Sequence, residues 1–336
     1  MKLFRKNVLS ERAERAMQKT LANVYAQRRS RFRILACIDE TEESFDTVRM
    51  AARLAKTNEC DIIILYVRSI DQGLWSGGLQ VRVARQNILD AGLELPGINK
   101  LKKTLEVLKE EGLDAEQWNR KTGHQDAWGD PLGDNKVEFI SDEGRSIVLK
   151  LKTAPEPAAG ILDQYELGPY NLIIMGEPSR WRGELRSLFD AGIVQQVAVH
   201  APCSVMVVRQ PLDKKGFFIC TDGTSRSMQA VRRAAVLAHI AGEPITLFSA
   251  SAHDSEIATA EENVKNARAL LKAMGIKVHD IKTAVGKPAK MIAEIGSNYG
   301  VIVVTDEGRS RLQRAIKGST AVEVVRTATT TVLDVR

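Results

Sequence analysis

The chain repeats itself, and that repetition limits its fold more than any other feature. Arg33-Ile-Leu-Ala-Cys-Ile-Asp39 returns 183 positions later as Gly216-Phe-Phe-Ile-Cys-Thr-Asp222, in each case an apolar strand that ends in Cys-x-Asp. The match continues without a gap: Arg49 aligns with Arg232, Ala51-Ala52 with Ala234-Ala235, and Leu54-Ala55 with Leu237-Ala238. It then enters a second strand, Ile62 to Val67 against Ile245 to Ala250. The ends of the halves match too. Leu172-Ile-Ile-Met-Gly176 is paralleled by Val301-Ile-Val-Val-Thr305, and Val205–Val208 by Val332–Val335. Each half thus alternates β-branched apolar runs with helical patterns, beginning and ending on a strand. Such alternation predicts an α/β fold: two tandem open, mostly parallel sheets with helices on both faces.

The halves differ in length. Val67 and Leu172 are 105 positions apart, whereas Ala250 and Val301 are 51 apart. The first half therefore carries about 54 extra residues, placed at about 70–98 and 114–146 by the matching helix ends Gly112-Leu113 and Gly275-Ile276. Lys136–Ser141 and Ser146–Lys152, around Asp142-Glu-Gly-Arg145, predict a β-hairpin. The insertions suit a lid, a docking surface or loop decoration equally well. The expected organisation is an arm over 1–30, a first domain over 31–210 and a second over 214–336.

Charge is unevenly placed. The net charge is +6, yet residues 1–33 contain ten Lys or Arg and two Glu, so the body beyond them is slightly acidic. Ser10 can cap a helix that has Glu11 and Glu14 near its positive end. Leu9, Ala13, Ala16, Met17, Leu21 and Val24 form an apolar stripe along it. Such an arm suits packing on its own body or on a second copy, giving a homo-oligomer. Contact with a nucleic acid, a membrane or an unknown protein partner is the competing use. The absence of an apolar segment behind Met1, and of any apolar run near 20 residues, leads to an expectation of a cytoplasmic protein. Cys37, Cys60, Cys203 and Cys220 form no CxxC pair, which fits a reducing compartment.

In open parallel sheets, ligands sit at the carboxyl ends of strands near the reversal of strand order. In the second half, Thr305 ends a strand and Gly308-x9-Gly318-Ser319-Thr320 leads into a helix. Glycines there admit a phosphate to the backbone, Ser319 and Thr320 offer hydroxyls beside a helix dipole, and Arg309 adds charge. Asp222 ends the opening strand, where a carboxylate suits ribose hydroxyls or a metal; Asp222-Gly-Thr-Ser225 also suits a helix cap. There is no P-loop and no nucleophile elbow, and His124, His200, His239, His253 and His279 lack metal-ligand spacing. No catalytic or metal site is assigned, and enzyme activity is expected to be a weak ATPase at most.

The sequence resembles a tandem universal stress protein, two such domains in one chain, over about 31–209 and 215–336. The resemblance rests on the strands quoted above, on His200-Ala-Pro-Cys203-Ser-Val-Met-Val-Val208, and on the family's Gly-x2-Gly-x9-Gly-Ser/Thr pattern. It implies a Rossmann-like adenine-nucleotide-binding fold, with the halves packed as a pseudo-dimer through their last strands. It implies a stress-response role and binding of ATP, ADP or AMP, with or without Mg, in the second half. Phosphate contacts then fall on Gly308, Gly318 and Ser319, ribose or metal contact on Asp222, and adenine beside the backbone near Ala250. Gly223, Thr224, Thr305, Arg309 and Thr320 complete the candidate set. The second half has Thr305 where the family has its first Gly. In the first half Gly176 keeps that position, but Ser179 and Ala191-Gly192 replace the rest and Trp181 enters the loop. A ligand-free scaffold that docks a partner through arm and insertions is the alternative.

Overall fold

A computed structural model describes residues 31–39, 41–57, 59–69, 97–127, 130–166, 170–177, 183–209, 212–305 and 320–336. The arm over 1–30 and the first insertion up to residue 96 lie outside the described residues, as do Ser179 and Trp181.

The first half contributes strands β1 (Phe32–Ile38), β2 (Cys60–Ser69), β3 (Asn119–Ala127), β4 (Asp130–Ile140), β5 (Ser146–Ala154), β6 (Leu172–Gly176) and β7 (Ser204–Val208). Its helices are α1 (Phe45–Leu54), α2 (Ile98–Glu110), α3 (Pro157–Glu166) and α4 (Gly183–His200). The second half contributes β8 (Phe217–Cys220), β9 (Ile245–Ser251), β10 (Asp280–Val285), β11 (Val301–Thr305) and β12 (Thr331–Val335). Its helices are α5 (Ser225–Ala241), α6 (Ile257–Ala273), α7 (Pro288–Gly296) and α8 (Thr320–Thr327). All twelve strands form one sheet in the order β10-β9-β8-β11-β12-β7-β6-β1-β2-β5-β4-β3. No described helix is long and apolar enough to cross a membrane.

The repeat and the expected pseudo-dimer are visible in this order. Within each half the strands corresponding to the repeat run parallel, β9-β8-β11-β12 mirroring β2-β1-β6-β7. The halves meet where β12 pairs antiparallel with β7, Leu333 opposite Met206. Neither strand is left as an apolar edge. The expected hairpin is present: β4 pairs antiparallel with β5, Val137 opposite Leu149. The second insertion adds β4 and β3 beyond β5, so it widens the sheet.

Alternation along each strand divides the core. Ile34, Ala36 and Ile38 face one side of the sheet, Leu35 and Cys37 the other. On the first side Ile34, Met206, Leu333, Phe217 and Ala234 belong to one continuous core shared by both halves. The opposite side holds two separate cores, one per half. At about 1.5–3 kcal/mol per buried large apolar side chain, the shared core and the β7–β12 seam hold the halves together.

The paired helix ends are equivalent. Gly112 and Gly275 have φ of 88° and 74°, and the amides of Leu113 and Ile276 donate back to Leu108 and Leu271 at 2.8 and 2.9 Å. This closes each helix with a left-handed glycine. A Cβ at Gly275 would meet nothing within 4 Å. Gly275→Ala is therefore expected to cost only the conformational penalty, about 1 kcal/mol, read as a lower urea midpoint at unchanged slope. A loss several times larger would show that the glycine does more than close the helix.

All four cysteines are buried and free. Burial raises the Cys60 and Cys203 thiols to about 12 and pushes Cys37 and Cys220 higher still. These are inert packing thiols. His200 closes α4.

Candidate nucleotide site

The sheet order reverses between β8 and β11: the chain steps outward from β8 to β9 and β10, then returns to the other flank of β8. Asp222 follows β8 and Thr305 ends β11, so they stand on the two sides of this crevice. Ala250 is near the carboxyl end of β9. Thr320 begins α8. Four of the five segments expected to form the site therefore converge on one end of the sheet. The fifth, with Gly308, Arg309, Gly318 and Ser319, lies outside the described residues.

The Asp222 loop is tightly built. Asp222 Oδ1 accepts from the amide of Thr224 at 3.0 Å and from its hydroxyl at 2.7 Å. Thr224 is the N-cap of α5, its Oγ1 accepting from the Ser227 amide at 3.2 Å. Gly223 has φ 79°, and its amide donates to Thr221 Oγ1 at 3.1 Å. Burial acts to raise the Asp222 pKa, but hydrogen bonds from Ser227 and Thr224 outweigh it and hold the carboxyl below its ordinary value. Asp222 thus stays anionic at neutral pH. Cap and ligand contact are compatible, because both bonds from Thr224 fall on one oxygen. The same turn occurs in the first half, where Asp39 Oδ1 accepts from the amide of Thr41 at 2.8 Å and from its hydroxyl.

Thr305 behaves differently from the glycine it replaces. Its Oγ1 donates to the carbonyl of Val335 at 2.9 Å. The hydroxyl is tied to β12, and the side chain acts as a clamp between the last two strands.

Two residues escaped the sequence reading. The Ser251 hydroxyl, beside Ala250, is buried and has no hydrogen-bond partner among the described residues. Asn263, on α6, leans over the Gly223 loop: a Cβ on Gly223 would lie 2.0 Å from its Oδ1. Asn263 also donates to Ser249 Oγ at 3.4 Å. Ser251 ends β9, but nothing in its residue type marks it, and Asn263 belongs to no glycine pattern and reaches the crevice only through the packing of α6 on β9.

The first half departs from the second. Ala191 and Gly192, which the spacing sets against Gly318-Ser319 at a helix start, lie inside α4. Inside the helix they cannot offer the first-turn amides that an anion needs. Gly176 does end β6, and a Cβ there would lie 3.6 Å from Thr47 Oγ1, a buried hydroxyl without a partner among the described residues.

Comparison with known proteins agrees with this geometry. The model of the universal stress protein family matches residues 31–209 and 217–336. A universal stress protein from Archaeoglobus fulgidus is 14% identical, with 90% of this chain and 96% of that chain covered and a TM-score of 0.55. A Pseudomonas aeruginosa protein described as a universal stress protein is 15% identical, with 92% and 94% covered and a TM-score of 0.58. At these identities the likeness is one of fold. A universal stress protein solved in complex with cAMP is 25% identical over 37% of this chain and 97% of its own, with a TM-score of 0.33. No curated protein matches the chain.

Proposed function

Because this chain belongs to the universal stress protein family, we propose that it is a regulatory or protective protein of the stress response that binds ATP, ADP or AMP in its second half. Asp222, Gly223, Thr224, Ala250, Thr305, Gly308, Arg309, Gly318, Ser319 and Thr320 line the proposed site. The observation that carries the reading is the crevice between β8 and β11, flanked by Asp222 and Thr305 and followed by Gly308-x9-Gly318-Ser319 ahead of α8. The described residues fit such a ligand. The anionic Asp222 suits ribose hydroxyls, with the Asn263 amide close over the neighbouring Gly223. The orphaned Ser251 hydroxyl gives a polar edge such as adenine's a partner next to Ala250. Mg, where present, would be shared between Asp222 and the ligand's phosphates, since among the described residues no three His, Cys, Asp or Glu side chains converge.

The role follows from the placement. The amides and hydroxyls of the proposed site come from loops between strands, so nucleotide binding favours one arrangement of those loops and alters the surface they present to a partner. Titration calorimetry with ATP, ADP and AMP on the wild type and Gly318→Val tests this reading. Heat with at least one nucleotide, lost in the variant, is expected; no heat with any of the three sinks it.

A second reading, a ligand-free scaffold, draws on the first half. There Ala191-Gly192 has moved into α4, and the insertion has become the sheet extension β3–β4. Under that reading nucleotide has no effect and the extended sheet edge is the working surface.

A further inference from the structure

Helices α1 and α5 pack side by side across the seam between the halves. A groove lies on either side of this pair, and the repeat relates the two grooves. The smaller has a volume of about 400 Å³. One wall is α1, with Met50, Arg53 and Leu54, and another is the segment 212–215 that leads into β8. Leu212 of that segment packs onto the shared core. The larger groove, about 770 Å³, has α5 as its wall, with Val236, Leu237 and Ile240. The residues at the repeat position of 212–215 are 29–32, which lead into β1. Arg31 and Phe32 line this groove, and the 30 residues before them lie outside the described residues.

The two helices differ at the positions that face the grooves. Arg53 of α1 reaches Glu111 at 3.0 Å; its repeat partner on α5 is Val236, which is 41% exposed. At this repeated position the groove lined by the linker has a paired arginine, and the groove that stands open has an exposed valine. That pattern marks a surface built to be covered. The chain immediately upstream of Arg31 contains the apolar stripe Leu9, Ala13, Ala16, Met17, Leu21 and Val24 at helical spacing.

We propose that the larger inter-half groove is the docking site for the amino-terminal arm, residues 1–30 of the same chain, bound as an amphipathic helix with its apolar stripe against Val236, Leu237 and Ile240. The mode is that of a helix in a groove, anchored through i, i+3, i+4 residues. Two of the groove's arginines are paired with carboxylates. Arg31 is held by Asp61 at 2.8 Å, Arg336 by Asp334 at 3.2 Å, and Arg233 by the carbonyl of Arg336. Arg232 has no partner among the described residues, and Glu11 and Glu14 are the acids the arm brings. A tether ending at the groove's lip gives the arm an effective concentration in the millimolar range, which favours it over a second copy or a free ligand. The Lys and Arg residues of the arm then stay in solvent.

Hydrogen exchange read by mass spectrometry on the full chain tests this. Amides over residues 9–24 are expected to exchange at least tenfold more slowly than in a synthetic peptide of residues 1–30. Val236→Asp and, separately, Met17→Asp should return them to the peptide rate. Met17→Asp should also speed exchange over residues 232–240 of α5. Val285→Asp, at the other exposed valine, should change nothing. Peptide-rate exchange in the wild type overturns the proposal, including the case in which anionic vesicles alone restore protection. So does protection that survives Val236→Asp, or protection lost on dilution as the mass falls from two chains to one, which would assign the groove to a second copy.

Discussion

Arg209→Ala is expected to destabilise the protein by about 3–5 kcal/mol and to loosen the two halves from each other. Arg209 follows β7 directly, and its side chain is 4% exposed. It crosses the seam to donate to the carbonyls of Thr330, at 3.3 Å, and of Val325, at the end of α8. Its Nε lies 2.9 Å from Glu177 Oε2. Arg336 stands at the repeat-related position after β12. It makes the reciprocal contact, donating to the carbonyls of Ala198 and Ala201 at the end of α4 and pairing with Asp334. Each half thus closes the carboxyl end of the other's last helix with a cation, where helix carbonyls lack partners and the dipole favours positive charge. Truncation leaves buried carbonyls without this donor and removes the cation beside the partly buried Glu177 carboxylate, which costs more than the interaction contributes when intact. Denaturant unfolding of Arg209→Ala, Arg209→Lys and Arg336→Ala measures it. The lysine, with one charge but no fork, should recover less than half of the loss. A change under 1 kcal/mol in Arg209→Ala would mean that the β7–β12 ladder and the shared core hold the halves without the clasp.

The contrast between what could be read from the chain and what could not has a physical basis. The repeat, the alternation of strands and helices, and the β4–β5 hairpin are local patterns, and local patterns set secondary structure when tertiary packing agrees with them. The pairing of β7 with β12 was foreseeable because two apolar last strands need partners. The site was legible only where a residue ends a strand, as at Asp222, Ala250 and Thr305. Ser251 and Asn263 are ordinary residues in the sequence. They acquire meaning from burial and from α6 crossing the crevice. Ala191-Gly192, at the positions of Gly318-Ser319, takes a different place in the fold: without a break between Gly183 and His200 the helix runs through them. The arginine clasp was invisible for the same reason as Asn263, since it depends on contacts between residues over 100 positions apart.

Gly223→Val is expected to weaken nucleotide binding about 100-fold, close to 2.7 kcal/mol, with a smaller loss of stability. Two effects act together. The backbone there has φ 79°, a conformation that costs a β-branched residue about 1–2 kcal/mol. The new Cβ would also meet Asn263 Oδ1 at 2.0 Å. Relief requires either that Asn263 swings away, breaking its bond to Ser249, or that the loop shifts and carries Asp222 and the Thr224 cap with it. Both responses change the face that the proposed ribose site presents, while β8 beneath stays in register with β9 and β11. Asn263→Ala separates the two causes. It removes the clash but not the strained φ, so the double variant Gly223→Ala, Asn263→Ala should recover binding in part and stability little. Calorimetry with the preferred nucleotide reads the first quantity and urea unfolding the second. Affinity kept within twofold in folded Gly223→Val would separate the ligand from the Asp222 loop and leave the Gly308–Ser319 stretch to hold it alone.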